Sequence, residues 1–498
     1  HPVSRENNWM TRSLVLAGNF NLTNIDELYE RLIDLGQYPP AKTDTVTILE
    51  RIGHFLDREN EDKYRYFKDK GYSKREITDL LARHIDLKEI LSLAARRWDG
   101  GYVMAGMIGH GDAFVMRDPC GIRPAYYYRD DEVVVAASEH AVIQTTFNVP
   151  YENVQELAPG HALLVRRDGD VSDERFIAPQ EVRPCSFERI YFSRGSDQDI
   201  YRERKRLGRL LVPQILKSID DDIENTVFSY IPNTAESAFF GLVEGLDAHC
   251  AATRVQKIMA GRDTLTEERL HEILHYKPRV EKIAIKDVKM RTFITQDDER
   301  DDLVAHVYDV TYGTIRPDAD NLVILDDSIV RGTTLRRSII RILDRLRPKK
   351  IVVCSSAPQI RYPDCYGIDM SRLGDFVAFR AAIELLKEHG MHDVIDDVYR
   401  KAKIQMGLER SEAVNCVKKI YEPFTDEEIS SKIAQIVTAP DIHAGIEVIY
   451  QSVENLHQAI PHHNGDWYFT GDYPTPGGNV VANKAFINFY ENRNERAY

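Results

Sequence analysis

The chain has 498 residues, 43% hydrophobic and 29% charged, and its 65 basic against 79 acidic side chains leave a net charge of −14. That is the mixture of an ordinary globular protein, long enough for about two to four domains. An acidic balance without a basic block argues against nucleic-acid binding, no run of ~18 apolar residues offers a membrane span, and six scattered cysteines form no disulfide framework, so a reducing cytoplasmic setting is expected.

In chain order, Leu14-Val15-Leu16 reads as a strand and Asn19 to Asn24 as a polar turn. A helix follows with Ile25, Leu28, Leu32 and Leu35 on one face; Gly36 closes it, and Asn24 with Glu27 forms a capping pair. Strand-like runs then occur at Tyr102–Met107, Ala113–Met116, Ala125–Tyr128, Glu132–Ala136 and Ala162–Val165, separated by turn signals such as Gly109-His110-Gly111-Asp112. This half is expected to be sheet-dominated and antiparallel. Pro179 to Pro184 is a linker candidate. Beyond it, residues 248–285 read as a charged helical stretch with apolar positions Leu265, Leu270, Ile273 and Leu274. Asn321–Leu325 and Ile351–Cys354 are buried-strand runs around a helix with Leu335, Ile339, Ile340, Leu343 and Leu346 on one face, stopped by Pro348. Strand, helix, strand is the unit of a parallel sheet. The last hundred residues read as helices.

The chemical signal is Asp326-Asp327-Ser328-Ile329-Val330-Arg331-Gly332-Thr333-Thr334, between the strand and the helix of that unit. Two carboxylates at a strand's carboxyl end point into the crevice where α/β sheets bind ligands. The small residues, hydroxyls and N–H groups that follow at a helix start favour a phosphate. Together they suit a sugar phosphate, with the acids on ribose hydroxyls or Mg²⁺.

This string resembles the phosphoribosyl-pyrophosphate (PRPP) motif of type I phosphoribosyltransferases, and its wording resembles the glutamine PRPP amidotransferase family, which opens purine synthesis. Supporting matches are Ile190 to Arg194 with Tyr201, Arg204 and Gly208; Arg291 to Ile294; Ser355 to Pro358; and Tyr366 to Asp369. Arg117-Asp118-Pro119-Cys120-Gly121-Ile122-Arg123-Pro124 resembles a segment of that family's glutaminase domain. The resemblance implies an α+β and α/β chain. A glutaminase-type β-sandwich with helices, of the N-terminal-nucleophile kind and N-terminally incomplete, covers 1–180. A type I phosphoribosyltransferase parallel-sheet domain covers 185–400, with an insertion at 248–285, and a helical C-terminal region covers 401–498.

By the same resemblance Asp326 and Asp327 hold the ribose hydroxyls and Ser328 to Thr334 the 5′-phosphate. Thr234, in Ile231-Pro232-Asn233-Thr234, contacts pyrophosphate; Thr234, Asp326 and Asp327 are the Mg²⁺ candidates; and Lys286 and Arg291 belong to a loop that closes over PRPP. His306 and Tyr308 stand where the family has a basic pair. In the glutaminase half Asn19 matches the oxyanion-hole asparagine and Asp44 the carboxylate that binds glutamine. The family's nucleophile is an N-terminal cysteine, whereas residue 1 is His and the nearest cysteine, Cys120, lies in another motif. The sequence therefore reads as beginning inside the glutaminase domain, and an ammonia-dependent amidophosphoribosyltransferase is expected. Cys250, Cys365 and Cys416 lack a C-x-x-C partner, and Asp364 takes one ligand position, which argues against an iron–sulfur cluster. The resemblance also implies PRPP and glutamine or ammonia as substrates, purine nucleotides as inhibitors and a homo-oligomer. A nucleobase phosphoribosyltransferase and a PRPP-sensing regulator are the alternatives.

Overall fold

A computed structural model describes residues 2–286, 308–368 and 370–497. Six antiparallel strands build the first sheet in the order β1 (Val3–Arg5), β2 (Leu14–Leu22), β3 (Gly100–Ile108), β4 (Ala113–Arg117), β8 (His161–Val165) and β9 (Val171–Arg175). Strands β5 (Tyr126–Arg129), β6 (Val134–Ala137) and β7 (Gln155–Glu156) form a smaller sheet. Alternate residues of the large sheet, Leu14, Leu16, Met104 and Phe114, pack against helices α1 (Ile25–Asp34), α2 (Asp44–Asp69) and α4 (Leu87–Ala95). On the other face Val103, Val115 and Leu163 meet Tyr127 and Leu157 of the small-sheet layer. The small sheet covers one end only: Val15 and Met107, register partners on that face, remain 46% and 56% exposed.

Several local expectations change here. Asn19 to Leu22 is no turn but the second half of β2, in register with Gly100 to Val103. Cross-strand pairing overrides the low strand preference of Asn and Gly. Asn24 stands at the α1 N-cap position but makes no capping bond. Its side chain instead donates to the Arg97 carbonyl at 2.9 Å and accepts from the Asp99 amide at 3.3 Å, tying α1 to the start of β3. Helices α2, α3 (Lys74–His84) and α4 are additional to the one helix expected in this half; side chains at Thr43, Ser73 and Asp86 cap them, and Ser73 with Glu76 makes a full capping box.

A five-stranded, all-parallel sheet follows, in the order β11 (Arg279–Val280), β10 (Thr226–Tyr230), β14 (Asn321–Asp326), β15 (Lys350–Ser355), β16 (Gly445–Tyr450). Strands β12 (Ala284–Lys286) and β13 (Tyr308–Val310) form a separate ribbon. Leu322 and Ile324 face the helices Val377–Glu388 and Asp426–Val437, and Val323 and Leu325 face α7 (Val212–Ser218) and α8 (Glu236–Ala260). Burial on both faces is why these strands read as unbroken apolar runs. The stretch read as a charged helical insertion is the distal part of α8 and α9 (Glu267–Leu274), but by Arg279 the chain has joined the sheet. The tail is helical except for β16, which the sheet recruits as its fifth strand.

Candidate active site

Chain order and spatial order part at one place in the parallel sheet. From β10 the chain steps outward to β11, then returns to lay β14 on β10's other side. The crevice beyond the carboxyl ends of β10 and β14 is therefore a topological switch point, where open α/β sheets bind ligands. Asp326 ends β14, and the turn carrying Thr234 leaves β10. The Pro232–Asn233 peptide in that turn is cis.

The acid loop is held from several sides. The Asp326 and Asp327 carbonyls accept from the amides of Ser356 and Ala357, both at 3.0 Å, so the Ser-Ser-Ala-Pro segment after β15 braces it. Val330 accepts from the Val377 amide at 2.9 Å, Arg380 donates to the Arg331 carbonyl at 2.7 Å, and Arg331 lies 3.6 Å from Asp375. Gly332 sits at φ +69, and a Cβ there would come within 3.1–3.2 Å of Val437 and Val377. Only glycine fits that turn without strain. Ile329 is buried, which leaves Ser328, Thr333 and Thr334 to offer hydroxyls and amides.

Electrostatically the loop is unfinished. Burial and then the Asp327 charge push the Asp326 carboxyl well above its ordinary range, with the Asp327 amide opposing at 2.9 Å. Burial also raises Asp327, against bonds from Ser328 and Thr234 and the charge of Arg204. Two adjacent carboxylates in this setting demand hydroxyl donors or a cation. The described residues contain no group of three acidic, His or Cys side chains that could cage a metal. A bound Mg²⁺ would therefore take its remaining ligands from a substrate's phosphates and water, its usual habit.

The Thr234 side chain bonds Asp327. The structure adds Arg204 to the surroundings of Asp327. It is buried on α6 (Gln198–Leu210), donates to the carbonyls of Arg189 at 2.9 Å and Ser193 at 2.6 Å, and faces Asp327. Burial lowers its pKa to about 10, with Asp327 opposing. The available signal was a charge inside the buried stripe Ile200, Arg204, Leu207. Arg204, Thr234, Tyr191, Phe192, Ser193 and Tyr201 line an open crevice of about 500 Å³. Lys286 ends β12, exposed and outside that wall, and Arg291 and His306 lie outside the described residues.

A second cavity, about 350 Å³, opens between the antiparallel and parallel sheets, and Asn19, Arg123, Glu188, Phe192, Ser193 and Gly367 belong to its lining. Asp44 is not part of that wall; at the start of α2 its carboxylate accepts from the amide and hydroxyl of Thr45 at 2.7 and 3.1 Å. Arg123 and Pro124, the end of the Arg-Asp-Pro-Cys-Gly-Ile-Arg-Pro segment, line this cavity. Buried Asp118 accepts from the amides of Cys120, Ile122, Arg123 and Tyr102 at 2.9–3.3 Å. Arg117 clamps the turn through the carbonyls of Gly121, Arg123 and Leu157. The turn presents Arg123 to the Tyr366 carbonyl and to Glu188, joining the two halves. Burial works against the Arg123 charge, yet Glu188 and Asp364 hold its pKa above the ordinary value. Asp364 accepts from the amides of Tyr366 and Ile368 and from the Tyr468 hydroxyl, shaping the loop that Arg123 grips. All six cysteines are buried, and burial pushes the Cys120 thiol up to about 12, which suits a packing residue rather than a nucleophile. Among the described residues no helix is long and apolar enough to cross a membrane.

No family model matches the chain. It is similar to curated proteins named amidophosphoribosyltransferase. The one from Pseudomonas aeruginosa is 25% identical over 382 residues, 74% of this chain and 65% of the relative. The one from Pasteurella multocida is 26% identical over 395 residues, 77% and 68%. The one from Bacillus subtilis is 25% identical over 380 residues, 76% and 65%. The chain thus spans about two thirds of the length of these relatives. Among solved structures, the fold is similar to a glutamine phosphoribosylpyrophosphate amidotransferase from Bacillus subtilis complexed with ADP and GMP. The TM-score is 0.58 and the identity 23%, covering 95% of this chain and 79% of that one.

Proposed function

We propose that the chain, which is similar in sequence and fold to proteins named amidophosphoribosyltransferase, joins ammonia to the anomeric carbon of PRPP. The products are 5-phosphoribosylamine and pyrophosphate. The observation that carries this reading is the paired acid loop at the switch point, with Thr234 and Arg204 facing Asp327.

Asp326 and Asp327 accept the ribose hydroxyls, and those donors relieve the burial and mutual repulsion that raise both carboxyls. Ser328 to Thr334 take the 5′-phosphate with backbone amides and hydroxyls. Thr234 faces the diphosphate. Asp326, Asp327 and Thr234 would hold a Mg²⁺ ion, which would supply positive charge beside the diphosphate. The nitrogen lone pair forms the new bond at the anomeric carbon as the bond to the diphosphate oxygen breaks, and the protein's part is orientation and exclusion of competing water. Lys286 and Arg291 are assigned to the covering of bound PRPP.

The two cavities share Phe192 and Ser193 in their walls and so lie side by side. Free ammonia is the nitrogen donor in this reading. In that reading Asn19 and Asp44 are the glutamine-handling residues that ammonia chemistry leaves idle. Purine nucleotides such as the ADP and GMP of the Bacillus complex are the expected inhibitors.

Incubation with PRPP, Mg²⁺ and ammonium, followed by pyrophosphate release, tests the reading. Release that grows with the free-ammonia concentration supports it. Release that requires a nucleobase makes the chain a salvage-type transferase instead, and tight PRPP binding without release makes it a sensor.

A further inference from the structure

A third cavity shares no wall residue with the two described above. The last helix (Pro476–Tyr490) builds it by the way it ends. Asn492, at φ +53, takes a left-handed turn that asparagine tolerates, and the Arg493 amide donates back to the Asn488 carbonyl at 2.8 Å. The buried Asn488 side chain then donates to the Glu495 carbonyl at 3.4 Å and holds the returning segment. That segment faces the Leu373–Asp375 turn across an open cavity of about 210 Å³.

The lining says what would fill it. Leu373, Ala485 and Phe489 give an apolar floor, with the Phe489 ring set edge-on against Phe379 at 4.7 Å. Arg372 brings a guanidinium and Glu495 a carboxylate; both are exposed, and among the described residues neither side chain has a partner. The other two charges at the rim are committed, Arg493 to Glu491 at 2.6 Å and Asp375 to Arg331 at 3.6 Å. One free cation and one free anion beside an apolar floor call for a small molecule that carries both charges and an apolar body. The space is below the ~300–1,000 Å³ of most ligand pockets. A phosphate monoester would bring up to about two negative charges to a single free guanidinium, a poor match.

We propose that this cavity binds a free α-amino acid with an aliphatic side chain. Its carboxylate lies on Arg372, its ammonium on Glu495 and its side chain on Leu373 and Phe489. The planar fork of Arg372 suits a carboxylate, which can accept two parallel N–H bonds from it. This inference is independent of the reaction assigned above.

Titration calorimetry of the full chain with L-leucine as the probe, in the absence of PRPP, tests it. Saturable one-to-one binding is expected, weakened about 10-fold or more by Arg372→Ala and by Glu495→Gln, as for the loss of a hydrogen bond to a charged group. Both side chains are exposed, so neither change threatens the fold. L-leucinamide, which lacks the carboxylate, and N-acetyl-L-leucine, which lacks the ammonium, should each bind about 10-fold more weakly for the same reason. A Cβ on Gly374 would stand 3.4 Å from the Phe489 ring, an ordinary contact, so Gly374→Leu grows towards the cavity floor and should abolish binding. Asp44→Asn, at the residue assigned to glutamine, should leave leucine binding unchanged. No binding, equal binding of leucinamide, tighter binding of AMP, or a loss of binding through Asp44→Asn rather than Arg372→Ala overturns the proposal.

Discussion

Replacing Asp327 by Asn removes a charge and almost no volume, and the site predicts opposite effects on activity and stability. The carboxylate accepts from the Ser328 hydroxyl at 2.9 Å and faces Thr234 and Arg204. Asn keeps one acceptor for Ser328 but offers a ribose hydroxyl only a neutral partner. Hydrogen bonds to charged groups contribute about 1.5–3 kcal/mol, so kcat/KM for PRPP with ammonium should fall about 10- to 150-fold. Stability should move the other way. Burial raises the Asp327 carboxyl, so the native chain resists an ionisation that the unfolded chain undergoes freely. That cost grows as pH rises from about 4 and is complete above the raised native pKa. Taking one carboxylate out of the crowded pair should stabilise the protein by about 1–2 kcal/mol at neutral pH, a melting shift of about 2–4 °C per kcal/mol in a unit of 150–250 residues. Pyrophosphate release and thermal unfolding, measured on one preparation, check both. A variant as active as the parent removes the ribose assignment, and a less stable variant refutes the electrostatic argument.

Asp118→Asn should destabilise the antiparallel half by about 2–4 kcal/mol, because an amide group would face two of the four buried amides that now bind carboxylate oxygens; urea unfolding followed by near-ultraviolet circular dichroism measures it. The Cys120 thiol, pushed up to about 12, should be alkylated at pH 8 about 10³-fold more slowly than a free cysteine even before access is considered; rapid labelling in the native protein, located by peptide mass, would contradict its burial. His463 has its pKa lowered to about 3 by burial and then by Arg189 and Arg117. The unfolded chain therefore binds one more proton between pH ~6.5 and ~3, and over that window His463 removes up to about 1.4 kcal/mol of stability per pH unit as pH falls. His463→Gln should flatten that slope in unfolding titrations; an unchanged slope would assign the acid sensitivity to other groups.

Short-range features were legible in the sequence. The buried runs of β14 and β15 and the helix between them depend on neighbours within about a dozen residues and lie where periodicity places them, with the acid loop between the first strand and the helix. Features that depend on distant partners were not. Asn19 to Leu22 becomes strand because β3, about eighty residues on, pairs with it, and β16 joins the sheet from the far end of the chain. Asn24 gives up its capping role to bind the Arg97 and Asp99 backbone.

The sequence by itself determined the chemistry on offer: two adjacent acids, a glycine-bearing hydroxyl loop and a βαβ frame to hold them. Only the tertiary structure decided which groups share a crevice. It turned Arg204 inward to face Asp327 and brought Thr234 beside it, and it closed the Arg123 clasp on the Tyr366 loop. It also left Asp44 away from the cavity that Asn19 lines. The physical reason is range: side-chain type and local spacing are written along the chain, whereas burial and opposing charge arise between segments whose meeting no local pattern encodes.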